Sequence, residues 1–282
     1  MRRLGGAVGV ARTLFFIAVA AYIAVPIVAV ILYSISTRWT ANILPDGYTL
    51  RHWREGLTED RMQDALLRTF WMAAAVLILD ILLVVPAVYW QRVRNPRIRV
   101  VAELAAAIPF VLPFVVIAFG VLTLSGEYAP ELLGTWWIIW LGHAAISFPF
   151  LYWAVDGAMS AANVAKLNEA AQACGSSPYQ TLRFVVVPNI GAGLATGGML
   201  VFATSFGEFA LVQILVGARF ENVSLYSLNL LTETTSQFEK LAVLTVITFV
   251  ILFLTSAGVV LINRGKAPTT VAGVRSLAGE RG

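Results

Sequence analysis

The sequence predicts an all-α integral membrane protein in which six transmembrane helices form one bundle. Of the 282 residues, 59% are hydrophobic and only 13% are charged. The apolar residues form blocks of about twenty or more, the length that a helix needs to cross a bilayer. Lipid offers no partner to backbone N–H and C=O groups, so each block must be helical. We therefore expect one transmembrane domain over residues 13–262, between short segments at 1–12 and 263–282.

Each apolar block is assigned to one helix, and an even number of helices places both termini on the same side. The predicted spans are residues 13–36, 66–90, 101–123, 135–155, 190–217 and 242–262. The first span follows three arginines, as the apolar region of a signal peptide does. It is too long for a signal peptide and lacks a small-residue cleavage site, so we expect it to be retained.

Basic residues orient the bundle. Thirteen of the twenty Lys and Arg residues fall in the two terminal segments, in the loop after the second span, or in the loop at 156–189. The positive-inside rule therefore predicts cytoplasmic termini, a cytoplasmic loop at 156–189 and an external loop at 37–65. This topology accounts for the net charge of +4, and no basic stripe interleaved with aromatic residues indicates nucleic acid as a partner. We expect the small polar residues of 263–282 to be disordered.

The predicted external loop contains an amphipathic segment. A turn at residues 45–47 precedes apolar side chains that recur at near-helical spacing. They are Leu50, Trp53, Leu57, Met62 and Leu66. Two interpretations are open: a helix that caps the bundle, and a docking surface for an external partner.

The residue types that carry most cofactor chemistry are scarce. Cys174 is the only cysteine, and His52 and His143 are the only histidines. These numbers and spacings do not suit a zinc site, so no metal site is expected. No glycine-rich loop ends in Gly-Lys-Ser or Gly-Lys-Thr, so we expect that the chain itself neither binds nor hydrolyses ATP and carries no cofactor.

Two short helices are predicted within the loop at 156–189. The first covers "NVAKLNEAAQACG", and Gly175 terminates it. The second begins with Ser177 as N-cap, Pro178 as the first helical residue and Gln180 closing a capping box, and is predicted to run until Pro188. Two helices joined by a tight turn can transmit force, which a flexible loop cannot.

The first of these helices is amphipathic. Its apolar stripe consists of Val164, Leu167, Ala171 and Cys174, whereas Lys166, Asn168 and Gln172 lie elsewhere. The stripe predicts which side of the helix packs against the protein.

This loop resembles the EAA signature of the permeases of bacterial ABC importers. The signature reads Glu-Ala-Ala, three residues, Gly, nine residues, Ile, one residue, Leu and Pro. The chain matches it at Glu169, Ala170, Ala171, Gly175, Val185, Val187 and Pro188, where the two valines replace Ile and Leu. The layout of six spans resembles the same family, so the resemblance covers most of the chain, although only the loop is sharply specific.

The resemblance implies a type I, MetI-like importer permease in the plasma (inner) membrane of a bacterium. In that family the loop is a coupling helix that seats in a groove of a separate ATPase. Glu169, Ala170, Ala171, Gly175 and Pro188 are therefore expected to couple the chain to an ATPase. The implied partners are two ATPase subunits that bind ATP and Mg, a related second permease subunit, an external solute-binding protein and the lipid bilayer. The chain would be a transport subunit and not an enzyme.

Polar side chains inside the spans indicate where a solute path lies, because such groups are costly in lipid and usually face a cavity or a partner. The candidates are Asp80, His143, Ser147, Ser205 and Glu208. In the alternative interpretation, Asp80 and Glu208 are structural and pair with a helix of this chain or of a second permease subunit. The stretch "SFGEF" around Glu208 resembles permeases for polyamines, phosphonates, sulfate and ferric iron, which implies a polyamine or phosphonate-like solute. A sugar or another solute is the alternative.

Two other classes of function are open to this composition. An ion-gradient-driven secondary transporter could use Asp80 and Glu208, but it would need a full path within one chain and would leave the loop at 169–188 unexplained. A membrane-embedded enzyme would need a nucleophile with its base, or a metal cluster, and neither is apparent. The sequence therefore favours a permease subunit.

Overall fold

The computed structural model describes residues 2–39, 42–232 and 237–264, and most of these residues are helical. The α-helices are α1 (Arg2–Ser34), α2 (Arg51–Thr58), α3 (Asp60–Val93), α4 (Arg99–Val111), α5 (Phe114–Tyr128), α6 (Trp136–Ala161), α7 (Val164–Ala173), α8 (Pro178–Gln180), α9 (Val187–Asn189), α10 (Gly191–Phe206), α11 (Ala210–Leu215), α12 (Val223–Thr232) and α13 (Phe238–Arg264). Among the described residues, the only β-pairing is an isolated bridge between Ser36 and Tyr48. The predicted all-α fold class is confirmed.

The number of spans equals the predicted six if each of two bent helix pairs counts as one span. Within the described residues, four uninterrupted helical segments are long and apolar enough to cross a bilayer: Arg12–Ser34, Asp60–Val93, Trp136–Ala161 and Phe238–Leu261. The bent pairs are Pro96–Val111 with Phe114–Tyr128, and Pro178–Asn189 with Gly191–Phe206.

The first and last helices extend beyond the predicted bundle, although their apolar segments begin at Arg12 and end at Leu261, close to the predicted bounds. α1 begins at Arg2, so residues 2–12 are helical and continuous with the first span. α13 extends to Arg264, so the first two residues of the predicted tail are also helical. The remainder of the tail, residues 265–282, lies outside the described residues, and its disorder stays a prediction.

The predicted third span, 101–123, is not one straight helix. α4 ends at Val111, α5 begins at Phe114, and the two helical segments meet at an angle of 108°. Pro113 explains the bend, because its ring disfavours helical backbone at the preceding residue and it has no N–H to donate. Leu112 accordingly is extended, with φ −95° and ψ 134°.

The predicted fifth span, 190–217, is also interrupted. α10 ends at Phe206 and α11 begins at Ala210, so residues 207–209 form a break within the apolar block. Hydropathy detects that a block is apolar but carries no information on whether its helix is continuous. Glu208 consequently lies in the break and not in the middle of a helix.

The chain forms two compact units. One comprises Met1–Ala65 and Tyr226–Ile251, and the other comprises Leu66–Leu225 and Leu252–Gly282. In the second unit, one apolar cluster includes Val88, Leu151 and Val155, and another includes Met72, Ile138 and Leu211. The functional candidates named above all belong to this second unit.

In the first unit, the predicted amphipathic segment forms α2 and the beginning of α3. Trp53 Nε1 donates a hydrogen bond of 3.2 Å to Ser34 Oγ, and Met62 is fully buried. Glu59, between the two helices, accepts hydrogen bonds from Lys240 Nζ at 2.7 Å and from the Tyr226 hydroxyl at 3.1 Å. These contacts agree with a segment that caps its unit, and docking of an external partner stays a prediction.

In the second unit, α10 packs closely along α6. A Cβ at Gly197 would lie 2.7 Å from Ala154 Cβ and 3.1 Å from a methyl group of Leu151. A Cβ at Gly193 would lie 2.8 Å from the carbonyl oxygen of Ala154. The absent side chains therefore let the two backbones approach, as small residues do in membrane helix pairs.

Candidate functional site

The EAA loop, residues 164–189, consists of two helical segments joined by a short ordered turn. α7 ends at Ala173, and Gly175 follows with φ +83°, a conformation that glycine adopts without strain. The backbone N–H of Gln180 donates to Ser177 Oγ at 3.3 Å, and the backbone N–H of Ser177 donates to Gln180 Oε1 at 2.9 Å. The predicted glycine turn and capping box are both confirmed.

The second helical segment continues through Pro188, where the sequence predicted that it would end. α8, a π-helical segment (Thr181–Val186) and α9 form one helix, Pro178–Asn189. Within it, the backbone N–H of Val187 donates to the carbonyl of Leu182, five residues earlier. The wider π turn lies directly before Pro188, which has no N–H to donate and whose ring would crowd the preceding turn of an α-helix.

The residues of the EAA signature lie largely on the surface of the chain. Glu169, Ala170, Gly175 and Pro188 are exposed, and Ala171 is partly exposed. Two aromatic side chains in the same loop were not singled out from the sequence. Tyr179 is 65% exposed and Phe184 is 67% exposed. Large apolar side chains in a polar loop indicate a contact surface, and that signal was available in the sequence.

Two residues of the loop lie otherwise than the predicted stripe indicated. Cys174, which was placed on the stripe, is exposed. Asn168 is buried. It was placed away from the packed stripe, but it is only 5% exposed. The Tyr89 hydroxyl of α3 donates a hydrogen bond of 2.6 Å to Asn168 Oδ1, and Gln172 Nε2 donates to the same oxygen at 3.2 Å. A polar side chain is stable in the interior once such partners satisfy it.

The five candidates for the solute path all lie inside this chain. Their exposed fractions are 1% for Asp80, 1% for His143, 0% for Ser147, 1% for Ser205 and 5% for Glu208. Ser147 Oγ lies within hydrogen-bond distance of two acceptors, Asp80 Oδ2 at 2.7 Å and the carbonyl oxygen of His143 at 2.8 Å. Asp80 on α3 is thereby joined to α6. The ring nitrogens of His143 and the Ser205 hydroxyl have no hydrogen-bond partner among the described residues.

Glu208 stabilises the break in the fifth apolar block. Its Oε1 accepts a hydrogen bond of 2.7 Å from the backbone N–H of Leu211, in the first turn of α11. Its backbone carbonyl accepts a hydrogen bond of 2.8 Å from Asn222 Nδ2, and Asn222 Oδ1 accepts one of 2.9 Å from the backbone N–H of Leu225. Asn222 is fully buried, and its role could not be read from the sequence because its contact with Glu208 joins residues 14 positions apart.

Residues in and beside this break are exposed. Gly207 and Gln213 are exposed, and Phe209 is 39% exposed. Non-helical backbone at membrane depth occurs only where it is buried in protein or lines a water-filled cavity. The exposed side of the break is therefore a place where a path or another protein, and not lipid, is expected.

Within the described residues, no group of three or more His, Cys, Asp or Glu side chains could hold a metal ion. The expectation that the chain carries no metal and no cofactor stays a prediction.

The chain is similar to permease proteins of known transport systems. It is 25% identical over 202 residues to a protein of Salmonella typhi named as a 2-aminoethylphosphonate transport system permease, PhnV, which spans 72% of this chain and 74% of the relative. It is 32% identical over 174 residues to the molybdenum transport system permease protein ModB of Mycobacterium tuberculosis, spanning 58% of this chain and 65% of the relative.

Solved structures of ABC transporters share its fold. A chain of a bacterial ABC transporter involved in the import of the acidic polysaccharide alginate matches with a TM-score of 0.65 at 18% identity, covering 91% of this chain and 95% of the other. A chain of the MetNI methionine ABC transporter, in an inward-facing conformation, matches with a TM-score of 0.56 at 16% identity. The match covers 75% of this chain and 100% of the other.

A sequence model of one family matches residues 84–267, which include the EAA loop and the break at residues 207–209. The predicted resemblance to type I importer permeases is thus confirmed. The chain belongs to the family of binding-protein-dependent transport system inner membrane components, the permease subunits of ABC importers.

Proposed function

We propose that this permease subunit forms half of a solute path and is driven by a separate ATPase that docks on the EAA loop. One observation carries the proposal: the loop forms a defined helix-turn-helix with its signature residues on the surface. The Gly175 turn and the Ser177 capping box fix the angle between the two helical segments, whereas Glu169 and Ala170 remain exposed. A partner that moves such a loop moves the helices attached to it.

The small side chains of the loop suit a close protein contact. Ala170 and Gly175 let a partner backbone approach, and the Glu169 carboxylate offers an acceptor to an arginine or a backbone N–H. The exposed Tyr179 ring adds the type of side chain that is enriched at protein interfaces. ATP and Mg would bind the ATPase, and the closure of two ATPase subunits would shift the permease between inward-facing and outward-facing states.

The proposal includes a second permease subunit, an external solute-binding protein and a cytoplasmic location of the EAA loop and of both termini. The distribution of Lys and Arg supports this orientation. The exposed side of α11 supports the second subunit, because a path between two chains must be lined by side chains that one chain alone leaves uncovered. Gln213 is such a side chain, whereas the buried Asp80 and Glu208 fit helix packing better.

For the solute we propose a small polar molecule of the phosphonate type. The support comes from relatives in Salmonella that are named for the transport of 2-aminoethylphosphonate. The ModB relatives, named for molybdenum, favour a different solute. The thermal midpoint of the co-expressed binding protein can be measured with 2-aminoethylphosphonate, spermidine, molybdate and maltose, because a ligand stabilises the folded state that binds it. A shift with molybdate or maltose alone would contradict the phosphonate proposal.

The ATPase proposal is tested with Glu169→Ala in the complete transporter. We expect less ATPase to co-purify with the permease, and uptake to fall in proportion. Glu127→Ala is the matched control, because Glu127 is also an exposed carboxylate but lies at the end of α5, outside the EAA loop. Unchanged ATPase binding and uptake in Glu169→Ala would contradict the proposed docking surface. Uptake that persists without any ATPase but stops with a protonophore would indicate a secondary transporter.

A further inference from the structure

We propose that the hydrogen bond between Tyr89 and Asn168 fastens the EAA loop to α3, and that Tyr89 is therefore a positioning residue for transport. The inference rests on the proposed function, because it assumes that the EAA loop receives its motion from an ATPase. It adds the route by which that motion enters the transmembrane helices. Neither Tyr89 nor Asn168 belongs to the EAA signature.

The contact is buried and joins distant parts of the chain. The Tyr89 hydroxyl lies 2.6 Å from Asn168 Oδ1 across a separation of 79 residues. Tyr89 is 7% exposed and Asn168 is 5% exposed. Separating the two groups without water or another partner would leave a buried hydroxyl and a buried amide unsatisfied, which is far more costly than losing an exposed hydrogen bond.

A second hydrogen bond reaches the same side chain. Gln172 Nε2, one turn further along α7, donates to the same Asn168 oxygen at 3.2 Å. Two contacts that converge on one atom hold the side chain in one orientation. Asn168 is thus fixed both by its own helix and by α3.

Few other side chains hold α7 in place. Among the residues of α7, only Val164 and Asn168 are buried. Val164 lies at the first position of the helix, next to the end of α6, and makes apolar contacts that are not directional. Asn168 lies immediately before Glu169, so the directional contact with α3 lies next to the residue that is proposed to receive the ATPase.

The end of α3 is held at a second point, one turn beyond Tyr89. Arg92 Nε and Nη2 donate to the two carboxylate oxygens of Asp156 on α6, at 2.6 and 2.7 Å. Arg92 therefore joins α3 to α6, whereas Tyr89 joins α3 to α7. A displacement of α7 is opposed by α3 through Tyr89 and cannot be absorbed by α7 alone, which is the physical coupling that a lever requires.

Tyr89→Phe tests this role, because it removes the hydroxyl and retains the ring. We expect the variant to bind the ATPase as the parent does, and its solute uptake per ATP hydrolysed, measured in proteoliposomes with the binding protein, to fall about fivefold. Tyr152→Phe is the matched control: the Tyr152 hydroxyl of α6 donates to Gln91 Oε1 of α3 at 3.2 Å and is similarly buried, but this hydrogen bond joins α6 to α3 and not to the loop. The control should keep the parental ratio of uptake to ATP hydrolysis.

Variants of Asn168, which accepts the hydrogen bond from Tyr89, provide a second test. Asn168→Asp keeps an acceptor oxygen and should retain coupling, whereas Asn168→Leu should lose it to the same extent as Tyr89→Phe. The double variant Tyr89→Phe with Asn168→Leu should be no worse than either single variant, as expected for two groups that act through one contact.

Three results would overturn the inference. They are an unchanged ratio of uptake to ATP hydrolysis in Tyr89→Phe, an equal fall of this ratio in Tyr152→Phe, or additive falls of this ratio in the double variant. These results can be distinguished from a failure of the proposed coupling to an ATPase. If the parent chain binds no ATPase, the proposed function itself is wrong. If the parent binds the ATPase and Glu169→Ala weakens that binding while Tyr89→Phe changes nothing, only the role of Tyr89 is wrong.

Discussion

Arg92 and Asp156 form a bidentate ion pair between the last turn of α3 and the C-terminal part of α6. The guanidinium Nε and Nη2 lie 2.6 and 2.7 Å from the two carboxylate oxygens, and the side chains are only 20% and 11% exposed. Arg99 approaches the same carboxylate at 4.0 Å. The planar geometry of arginine suits this pairing, which lysine cannot reproduce.

We expect Asp156→Ala to lower the free energy of unfolding by about 3 kcal/mol, because it leaves Arg92 largely buried without its counter-charge. The measurement is the thermal unfolding midpoint of the purified permease in detergent. Replacing both partners, as Arg92→Met with Asp156→Leu, should recover most of the loss, since buried ion pairs contribute little beyond well-packed apolar residues. A double variant less stable than Asp156→Ala would contradict this explanation.

Gly197→Ala should destabilise the packing of α10 on α6 by about 1 to 3 kcal/mol, because the new methyl group has no space beside Ala154 and Leu151. Gly157→Ala on α6 is the control: nothing lies within 4 Å of a Cβ at that position. Alanine favours a helix more than glycine does, so the control should be neutral or stabilising. Equal unfolding midpoints for the two variants would show that the close approach at Gly197 does not matter.

Glu208 offers a test that separates a role in packing from a role in the path. Glu208→Gln keeps an oxygen that can accept from the Leu211 N–H, so we expect near-parental stability and uptake. Glu208→Ala removes this acceptor and should cost about 1 kcal/mol of stability, as other losses of a helix cap do. Uptake kinetics and thermal unfolding of both variants are the measurements. A stable Glu208→Gln protein with strongly reduced uptake would instead place the carboxylate in the path.

Cys174 is an exposed free thiol at the end of α7 and reports the side of the membrane on which the EAA loop lies. A membrane-impermeant thiol reagent should leave it unmodified in intact cells and label it in inverted vesicles from which the ATPase has been removed. Ile43 is 94% exposed in the loop between α1 and α2, so a cysteine placed there in a Cys174→Ser background should react from outside. Labelling of Cys174 in intact cells would reverse the predicted topology.

The features that the sequence predicted well depend on residues close together in the chain. The apolar blocks, the Gly175 turn and the capping box of Ser177 and Gln180 each involve a few successive residues, and the structure contains all of them. The bend at Pro113 also follows from a local rule, but the apolar character of the block masked it. The path candidates were recognised as buried polar groups in apolar surroundings, which is a correct description of their environment.

The sequence by itself determined the class of protein, because lipid forces apolar blocks into helices and short-range spacing specifies caps and turns. It also determined which loop carries the EAA signature. Only the tertiary structure decided how that loop is fastened, since Tyr89 and Asn168, like Arg92 and Asp156, are separated by 79 and 64 residues. Their pairing depends on how helices pack side by side, a long-range result that no local spacing contains.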